Sequence, residues 1–468
     1  MSDLPIPVGF RAETLQQVVR LLRSGESCAL VGVGSSGKSN IARHLARADV
    51  RREYFQAEAA ATLILYLNCK PFAQRAPHAL YLHALDQLAR ALAEAEDGLH
   101  GQEAAVSALW LAAQAQPEPL ARRNLDVAIG QVVSAGARHV LLVLDDCDDL
   151  FGQAPPVLFS DLRGLRDNYK VSLAYLTLTR REPVFLRANT PEYEELFELL
   201  SAPGHTIPVA PYVEADGLLM LRRLAARQTP PRSLPEPDAR QLLALGGGHA
   251  GLLRSLFFAS QYDPALAAGS LAGADWAPLA RHPDVEAECR KIWDSLEPEE
   301  QQTLASLTGG APPPGDGLRR LERRGLVQPR PNGRLELFSP VFEKNLADWQ
   351  GQRPAAAEAA PAEAVAVEFT GVGRQARVNG ELVTGLLAPE YELLRCLAGA
   401  RPGACSRLQL IEAMRLAEQA ERSDKAAGDP LRRVDEYMRQ LKAKLGPAGR
   451  LIKPAGDGYQ LATAEERA

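Results

Sequence analysis

The sequence predicts an α/β core, a parallel sheet with helices on both faces, followed by a helical subdomain and two small α+β units of winged-helix type. Three observations lead there. Continuous apolar runs alternate with helical segments over residues 1 to about 205, as in a sheet covered on both faces. After Pro208 the chain turns Leu- and Ala-rich at helical spacing, with no strand run. Twice beyond that point, a series of helices ends in a short hairpin.

In order, the strand candidates of the core are Ser27–Val31 (SCALV), Thr62–Leu67 (TLILYL), His139–Leu144 (HVLLVL) and Val171–Leu178 (VSLAYLTL). Helices are expected over Asn40–Ala48 and Ala79–Ala95, which carry apolar residues at helical spacing. From Val213 to about Leu271 a helical subdomain is interrupted by a proline-rich loop, Thr229–Asp238, and by a glycine turn at Gly246–Gly248. The first small unit has helices at Val285–Ser295, Leu296–Leu307 and Leu318–Arg324, then a wing over Gly325–Phe338 turning at Asn332-Gly333. A linker rich in Ala, Pro and Glu follows, without a large apolar residue. The expected domains are therefore 1–207, 208–284, 285–350, the linker 351–364, and 365–463.

Composition bounds the class. The chain has 468 residues, room for about two to four domains. Apolar residues make up 46% and charged residues 24%, which excludes a mainly disordered chain. The net charge of −5, from 53 basic and 58 acidic residues, excludes whole-chain basicity, so any affinity for nucleic acid must be local. The six cysteines are scattered, with neither a CxxC pair nor zinc-type Cys/His spacing, which fits a reducing compartment and argues against a disulfide framework. The N-terminus has no basic segment leading into an apolar run, and no stretch approaches the ~18 apolar residues of a membrane span. A cytoplasmic protein with no membrane partner is expected. No repeat of about 20–50 residues is present, which excludes a solenoid.

Residues 32–39 read GVGSSGKS, a full match to GxxxxGK[ST], with a strand before it and a helix after it. Glycines let backbone N–H groups turn toward phosphates. Lys38 reaches the β- and γ-phosphates, and Ser39 ligates Mg²⁺ through its hydroxyl. ATP or ADP with Mg²⁺ is the expected cofactor, held by Gly32, Gly34, Ser35, Ser36, Gly37, Lys38, Ser39 and Asn40. The partner acid comes from HVLLVLDDCDDLF: Asp145, directly after Leu144, is placed to hold Mg²⁺ and Asp146 to orient or deprotonate an attacking water. Asp148 and Asp149 are expected to be loop or helix-capping residues. The fourth strand ends Thr179-Arg180, on the ligand side of such a sheet, where both residues can read the γ-phosphate. An α/β P-loop NTPase follows from this pairing, with Lys38, Asp145, Asp146 and Arg180 as its catalytic candidates and a slow ATPase as its expected activity.

The order GVGSSGKS, VLDD, LTLTR, helical lid, winged helix resembles the STAND class of signalling ATPases, the group that contains NB-ARC proteins. Gly247-Gly248-His249-Ala250-Gly251-Leu252 is similar to that class's lid motif, with Ala250 in place of a proline that touches adenine. Phe10-Arg11 resembles its base-closing segment, without the full GRxxE pattern. The resemblance covers residues 1 to about 350. It implies a switch in which ADP holds the lid and winged helix closed and ATP opens them. The winged helix at 285–348 is then a packing element; Arg330 and Arg334 in its wing are offset by Glu297, Glu299 and Glu300 on its helices.

The last domain opens with short antiparallel strands over Val365–Gly385, turning at Asn379-Gly380. Helices follow at Leu387–Gly403, at Ser406–Arg415 with Ser406 as N-cap, and at Pro430–Leu445 with Asp429 as cap; the segment Ser423–Asp429 is a loop and Leu451–Leu461 a hairpin. The third helix carries an apolar stripe of Leu431, Val434, Met438, Leu441 and Leu445, with Arg432, Glu436 and Arg439 opposite and Lys442 on the flank. Residues 429–453 hold seven basic and three acidic side chains, the local positive charge that phosphate contact requires. LAPEYELLRCLAGARPG, SRLQLIEAM, RRVDEYMRQLKAKLG and AGDGYQL together resemble the OmpR/PhoB-type effector domain, with Ala388 and Ala455 departing from its usual Thr and Arg. That resemblance implies a recognition helix in the major groove of double-stranded DNA and a wing in the minor groove. It assigns Arg432, Arg433, Arg439, Lys442 and Lys453 as DNA contacts. No phosphoacceptor receiver precedes the domain, so nucleotide state is the natural control.

The function these features imply is a nucleotide-switched transcription regulator, with nucleotide-dependent self-association and an inducer or sensor protein as further partners. Two alternatives stay open: an AAA+-like replication-initiator or DNA-remodelling ATPase, in which Arg254 touches the γ-phosphate, and a signalling or defence scaffold.

Overall fold

The computed structural model describes residues 5–72, 76–95, 98–187, 190–230, 233–262, 271, 273–309, 315–329, 335–351, 367–370, 374–378, 381–399, 405, 407–420, 430–446, 449, 452–455 and 458–461. The chain divides into two compact units, Met1–Gln352 and Arg353–Ala468.

Five parallel strands form the sheet of the first unit: β1 (Cys28–Val31), β2 (Thr62–Asn68), β3 (His139–Asp145), β4 (Leu173–Thr179) and β5 (Thr206–Pro208). Their spatial order is β2-β3-β4-β1-β5, every neighbouring pair parallel. Every residue of β3 and β4 is buried, because alternate side chains enter two different cores. Leu142, Leu144 and Tyr175 pack on one face with helices Pro77–Ala93, Pro117–Ser134 and Pro156–Asn168. Leu141, Val143 and Leu176 pack on the other with helices Ala12–Arg23 and Lys38–Ala46. The parallel α/β sheet covered on both faces is thus present. The fourth strand starts two residues later than expected, with Val171 left 66% exposed outside it. β5 escapes a sequence reading because three residues carry no period.

The segment after Pro208 is helical: Glu214–Ala226, Glu236–Gly246 and Ala250–Tyr262. The expected loop over Thr229–Asp238 is shorter than its composition suggests. Pro235 stands at the N-cap and the helix already runs from Glu236, as proline in the first turn favours. Beyond it lie helices Pro283–Asp294, Pro298–Gly309 and Asp316–Arg323, the antiparallel pair β6 (Val327–Pro329) and β7 (Leu335–Leu337), and a helix, Pro340–Gly351, that takes the first residue assigned to the linker. The turn Asn332-Gly333, with Arg330 and Arg334, and the rest of the linker lie outside the described residues. Leu242, Leu256, Phe257, Ile292, Leu321 and Phe342 share one core, so the described residues of 214–262 and 283–351 pack as a single body.

Of the acids at the start of helix Pro298–Gly309, Glu297 and Glu300 are buried and Glu299 is exposed. Glu300 is fully buried and its carboxylate accepts from Arg320 Nε at 3.3 Å, Arg324 Nη1 at 3.3 Å and the Glu297 backbone N at 2.9 Å, the last being one half of a capping box. Glu299 accepts from Arg320 Nη2 at 2.6 Å and from Gly317 N at 3.1 Å. Replacing Glu300 by Ala takes the carboxylate from the buried Arg324, while Arg320 keeps Glu299, and is expected to cost about 3–5 kcal/mol, read as a shift of the urea midpoint.

In the second unit β8 (Val367–Thr370), β9 (Gln375–Val378) and β10 (Glu381–Val383) form an antiparallel sheet. Helices Ala388–Gly399, Arg407–Ala420 and Pro430–Lys444 follow, then the hairpin of β11 (Ile452–Ala455) and β12 (Gly458–Leu461). Val434, Met438, Leu441 and Leu445 are buried together with Leu393, Leu397, Leu410 and Met414. The side chain of Leu431, the cap residues Ser406 and Asp429, the segment 423–429 and the turn Asn379-Gly380 lie outside the described residues. Glu390 accepts from Leu387 N at 2.7 Å and from Lys444 Nζ at 2.6 Å, so the Glu of the LAPEYELL segment both caps its helix and anchors the basic helix.

Candidate nucleotide site

The parallel strands deliver their C-terminal ends to one edge. β4 lies between β1 and β3, so Arg180 emerges between the phosphate loop and the acids after β3. The loop 32–37 leaves β1 and enters helix Lys38–Ala46. Gly37 sits at φ +94°, where a Cβ would stand 3.1 Å from the Tyr212 hydroxyl, so this position is reserved for glycine. Lys38 Nζ is folded onto its own loop, donating to Gly32 O at 2.5 Å, Val33 O at 3.1 Å and Ser36 Oγ at 3.4 Å. Burial pulls its pKa down to about 8, against the pull of Asp148 and Asp145.

A cleft of about 580 Å³ opens over this edge, lined among others by Gly34, Lys38, Ser39, Asp145, Asp146 and Arg180. Tyr66 of β2 donates its hydroxyl to Asp145 and also hydrogen-bonds Ser39. That shared partner brings the Ser39 hydroxyl and the Asp145 carboxylate together. Hard oxygen donors of this kind suit Mg²⁺, so the residues fit the ion. Burial and Asp145 push the Tyr66 phenol well above its usual range, which keeps it a hydrogen-bond donor. Asp146 sits at φ +53° and its carboxylate, 40% exposed, lies 3.7 Å from Arg180.

Thr179 does not reach the cleft. Its side chain is buried, and its carbonyl accepts from Gly32 N at 3.1 Å, which ties β4 to the loop. Asp148 is neither loop nor cap: it opens helix Asp148–Gln153, and its carboxylate accepts from Arg180 N at 2.9 Å and Arg181 N at 3.4 Å. Burial raises its pKa. Asn68, Lys70 and Lys291 also line the cleft and carry no motif that would have flagged them.

Groups far away in sequence clasp the loop. Arg11 donates to Ala210 O at 2.8 Å, Pro211 O at 3.1 Å and Ser36 O at 3.4 Å, with its guanidinium 4.3 Å from the Tyr212 ring centroid. Asn40 hydrogen-bonds Tyr212, and Phe10, Asn40, Tyr212 and Met220 line a neighbouring pocket together with Arg254. Ala250 and Arg254 also line a cleft along Ser35–Asn40. His249 Nδ1 accepts from Leu252 N at 3.2 Å, so Nε2 carries the proton and donates to Gly34 O at 3.0 Å. Gly251 N donates to Ser35 O at 3.1 Å; a Cβ there would lie 2.7 Å from Ser35 Cβ, so the approach requires glycine. Gly34 N donates to Ser295 Oγ at 3.0 Å, across 261 positions of sequence. Glu297 receives both arms of Arg181, with Nη2 to Oε2 at 2.6 Å.

Burial lowers the His249 pKa to about 4. Below the unfolded value of about 6.5 the unfolded chain binds a proton that the fold excludes. Stability is expected to fall as pH drops from 6.5 to 4, by up to about 3 kcal/mol. His249→Gln removes this component from denaturant midpoints measured across that window.

In the second unit Arg432 and Arg439 are exposed on helix Pro430–Lys444, with Arg439 paired to Glu436. Lys442 lies 5.1 Å from the Tyr459 ring centroid, joining that helix to the hairpin. Arg433 is half-buried beside Val434, and Lys453 lies half-buried on β11.

No curated protein sequence matches this chain. Among solved structures it is similar to the Walker-type ATPase of Pyrococcus abyssi (15% identity, 72% of this chain and 95% of that one, TM-score 0.42). It is also similar to Cdc6p of Pyrobaculum aerophilum (15%, 74% and 95%, TM-score 0.37) and to the Aeropyrum pernix Orc1 protein in complex with DNA (15%, 74% and 94%, TM-score 0.35). Residues 8–174 match the family described as the AAA ATPase domain, and these residues hold the phosphate loop, Asp145 and Asp146. Over residues 8–174 this chain is therefore similar to the AAA ATPase domain, a nucleotide-binding family.

Proposed function

We propose that this chain is a nucleotide-switched DNA-binding regulator, with a STAND-like N-terminal unit that controls an OmpR/PhoB-type winged helix over residues 365–463. One observation carries the switch. The segment that follows the lid, proposed as a first winged helix, sits in the phosphate cleft, with Ser295 on Gly34 N and Glu297 on Arg181. A phosphate cradled by the loop needs the same Gly34 N–H, so nucleotide and Ser295 compete for one donor. Release of Ser295 frees the body that leads into the C-terminal unit.

Within the site, Lys38 holds the β- and γ-phosphates, and Ser39 and Asp145 hold Mg²⁺, which neutralises charge on the phosphates when bound. Asp146 orients water, and Arg180, released from Asp146, meets the γ-phosphate. On DNA, Arg432, Arg439 and Lys442 face the backbone, with Arg433 and Lys453 as secondary contacts. The sheet, three helices and hairpin of the second unit support that assignment, as does the charge of its third helix.

Selection from a random DNA pool with ADP, with ATP and without nucleotide is expected to enrich a motif whose affinity depends on nucleotide. Joint replacement of Arg432, Arg439 and Lys442 by Ala is expected to lower the slope of log K against log salt by about 3. No enrichment in any state refutes the regulator.

A second proposal is an initiator-like or DNA-remodelling ATPase. It is favoured by the AAA ATPase match and by Arg254, which borders the cleft along Ser35–Asn40. Strong stimulation of ATP turnover by DNA and a ring on DNA select it over the slow switch.

A further inference from the structure

Five of the six cysteines, Cys28, Cys69, Cys147, Cys289 and Cys405, are buried. Burial pushes the Cys28, Cys289 and Cys405 thiols up to about 12 and raises Cys69 and Cys147 as well, so none of the five is a ready thiolate for peroxide. Cys405 differs from the other four in its neighbour. Cys396, on helix Ala388–Gly399, is half-buried, and Cys405, fully buried, stands with its sulfur 2.9 Å from the sulfur of Cys396. The backbone holds Cys405 in place from the other side: its N donates to Tyr459 O at 2.8 Å and its O accepts from Tyr459 N at 3.1 Å. The helix and the residue bridged to Tyr459 of the hairpin thus present two thiols to each other, only one of them reachable from water.

We propose that Cys396 and Cys405 form a peroxide-reactive dithiol, a modification site of the C-terminal unit. The Cys396 thiol gives up its proton and its sulfur attacks a peroxide oxygen; the O–O bond breaks, the sulfur becomes a sulfenic acid, and the departing hydroxide takes up that proton and leaves as the first water. The sulfur of Cys405 then attacks the Cys396 sulfur, its proton leaves with the hydroxide as a second water, and a disulfide forms. Two thiols are oxidised by two electrons and one hydrogen peroxide is reduced to two waters. The product staples helix Ala388–Gly399 to the strand pairing of Tyr459, and so to the hairpin that carries Lys453.

The test uses the full chain treated with limiting hydrogen peroxide, denatured, alkylated and digested with trypsin. Cleavage after Arg395 and Arg407, with the Arg401–Pro402 bond spared, leaves both cysteines in one peptide. That peptide is expected unalkylated and lighter by two hydrogen atoms than the reduced form, before the other four cysteines react. The Cys396→Ser chain is expected to leave Cys405 alkylatable. The Cys405→Ser chain is expected to stop at a sulfenic acid on Cys396 that a dimedone probe captures. Full alkylation of both thiols after peroxide, or earlier oxidation of another cysteine, overturns the proposal.

Discussion

Replacing Lys38 by Ala is expected to weaken ATP binding and turnover by about 10²–10³-fold while leaving the fold intact. The ammonium group is the one fixed cation within the loop, already desolvated and held by Gly32 O and Val33 O. The same burial makes nucleotide binding proton-linked. Lys38 has a pKa of about 8 in the free chain, and nearby phosphates raise it. Binding then takes up a proton above pH 8, so affinity falls as pH rises through 8, by up to about tenfold per unit. In the free chain the sign is the opposite: between pH 8 and about 10.5 the unfolded chain holds a proton that the fold has lost, so stability rises with pH there. Titration calorimetry in buffers of different ionisation enthalpy reads the proton uptake directly. An unchanged Lys38→Ala chain, or no proton uptake, removes Lys38 from the phosphates.

Opening the clasp is the second large effect. Glu297→Gln combined with Ser295→Ala removes one arm on Arg181 and one on Gly34. A charge-assisted hydrogen bond contributes about 1.5–3 kcal/mol, lessened here because Arg181 is 39% exposed. The ratio of clasped to open chain is expected to fall by about tenfold or more. A fluorescent ATP analogue is expected to associate about tenfold faster in stopped flow. Association at the unaltered rate means that residues 283–351 do not gate the cleft.

Legibility in the sequence followed the range of the interactions. The loop, the acids of VLDD and the strand end at Arg180 are local words, each read from a few neighbouring residues, and they line one cleft. Thr179 was misread because alternation along a strand decides which of two adjacent residues faces the ligand, and a one-residue shift turns the side chain inward. Asp148 reads as a loop or capping residue because its partners, the N–H groups of Arg180 and Arg181, follow a strand distant in sequence. Nothing local to Glu300 signals its burial, because Arg320 and Arg324, which close over it, lie 20 and 24 positions away.

By itself, the sequence determined the element types, the phosphate loop and the basic helix of the last unit, since hydrophobic period, turn residues and short motifs act within a few residues of chain. Only the tertiary structure decided that β4 separates β1 from β3, that Tyr66 joins Ser39 to Asp145, and that His249 and Ser295 hold the loop from outside. Those contacts span tens to hundreds of positions. Each depends on burial that makes one hydrogen bond count, and burial is a property of the packed chain rather than of any local word in it.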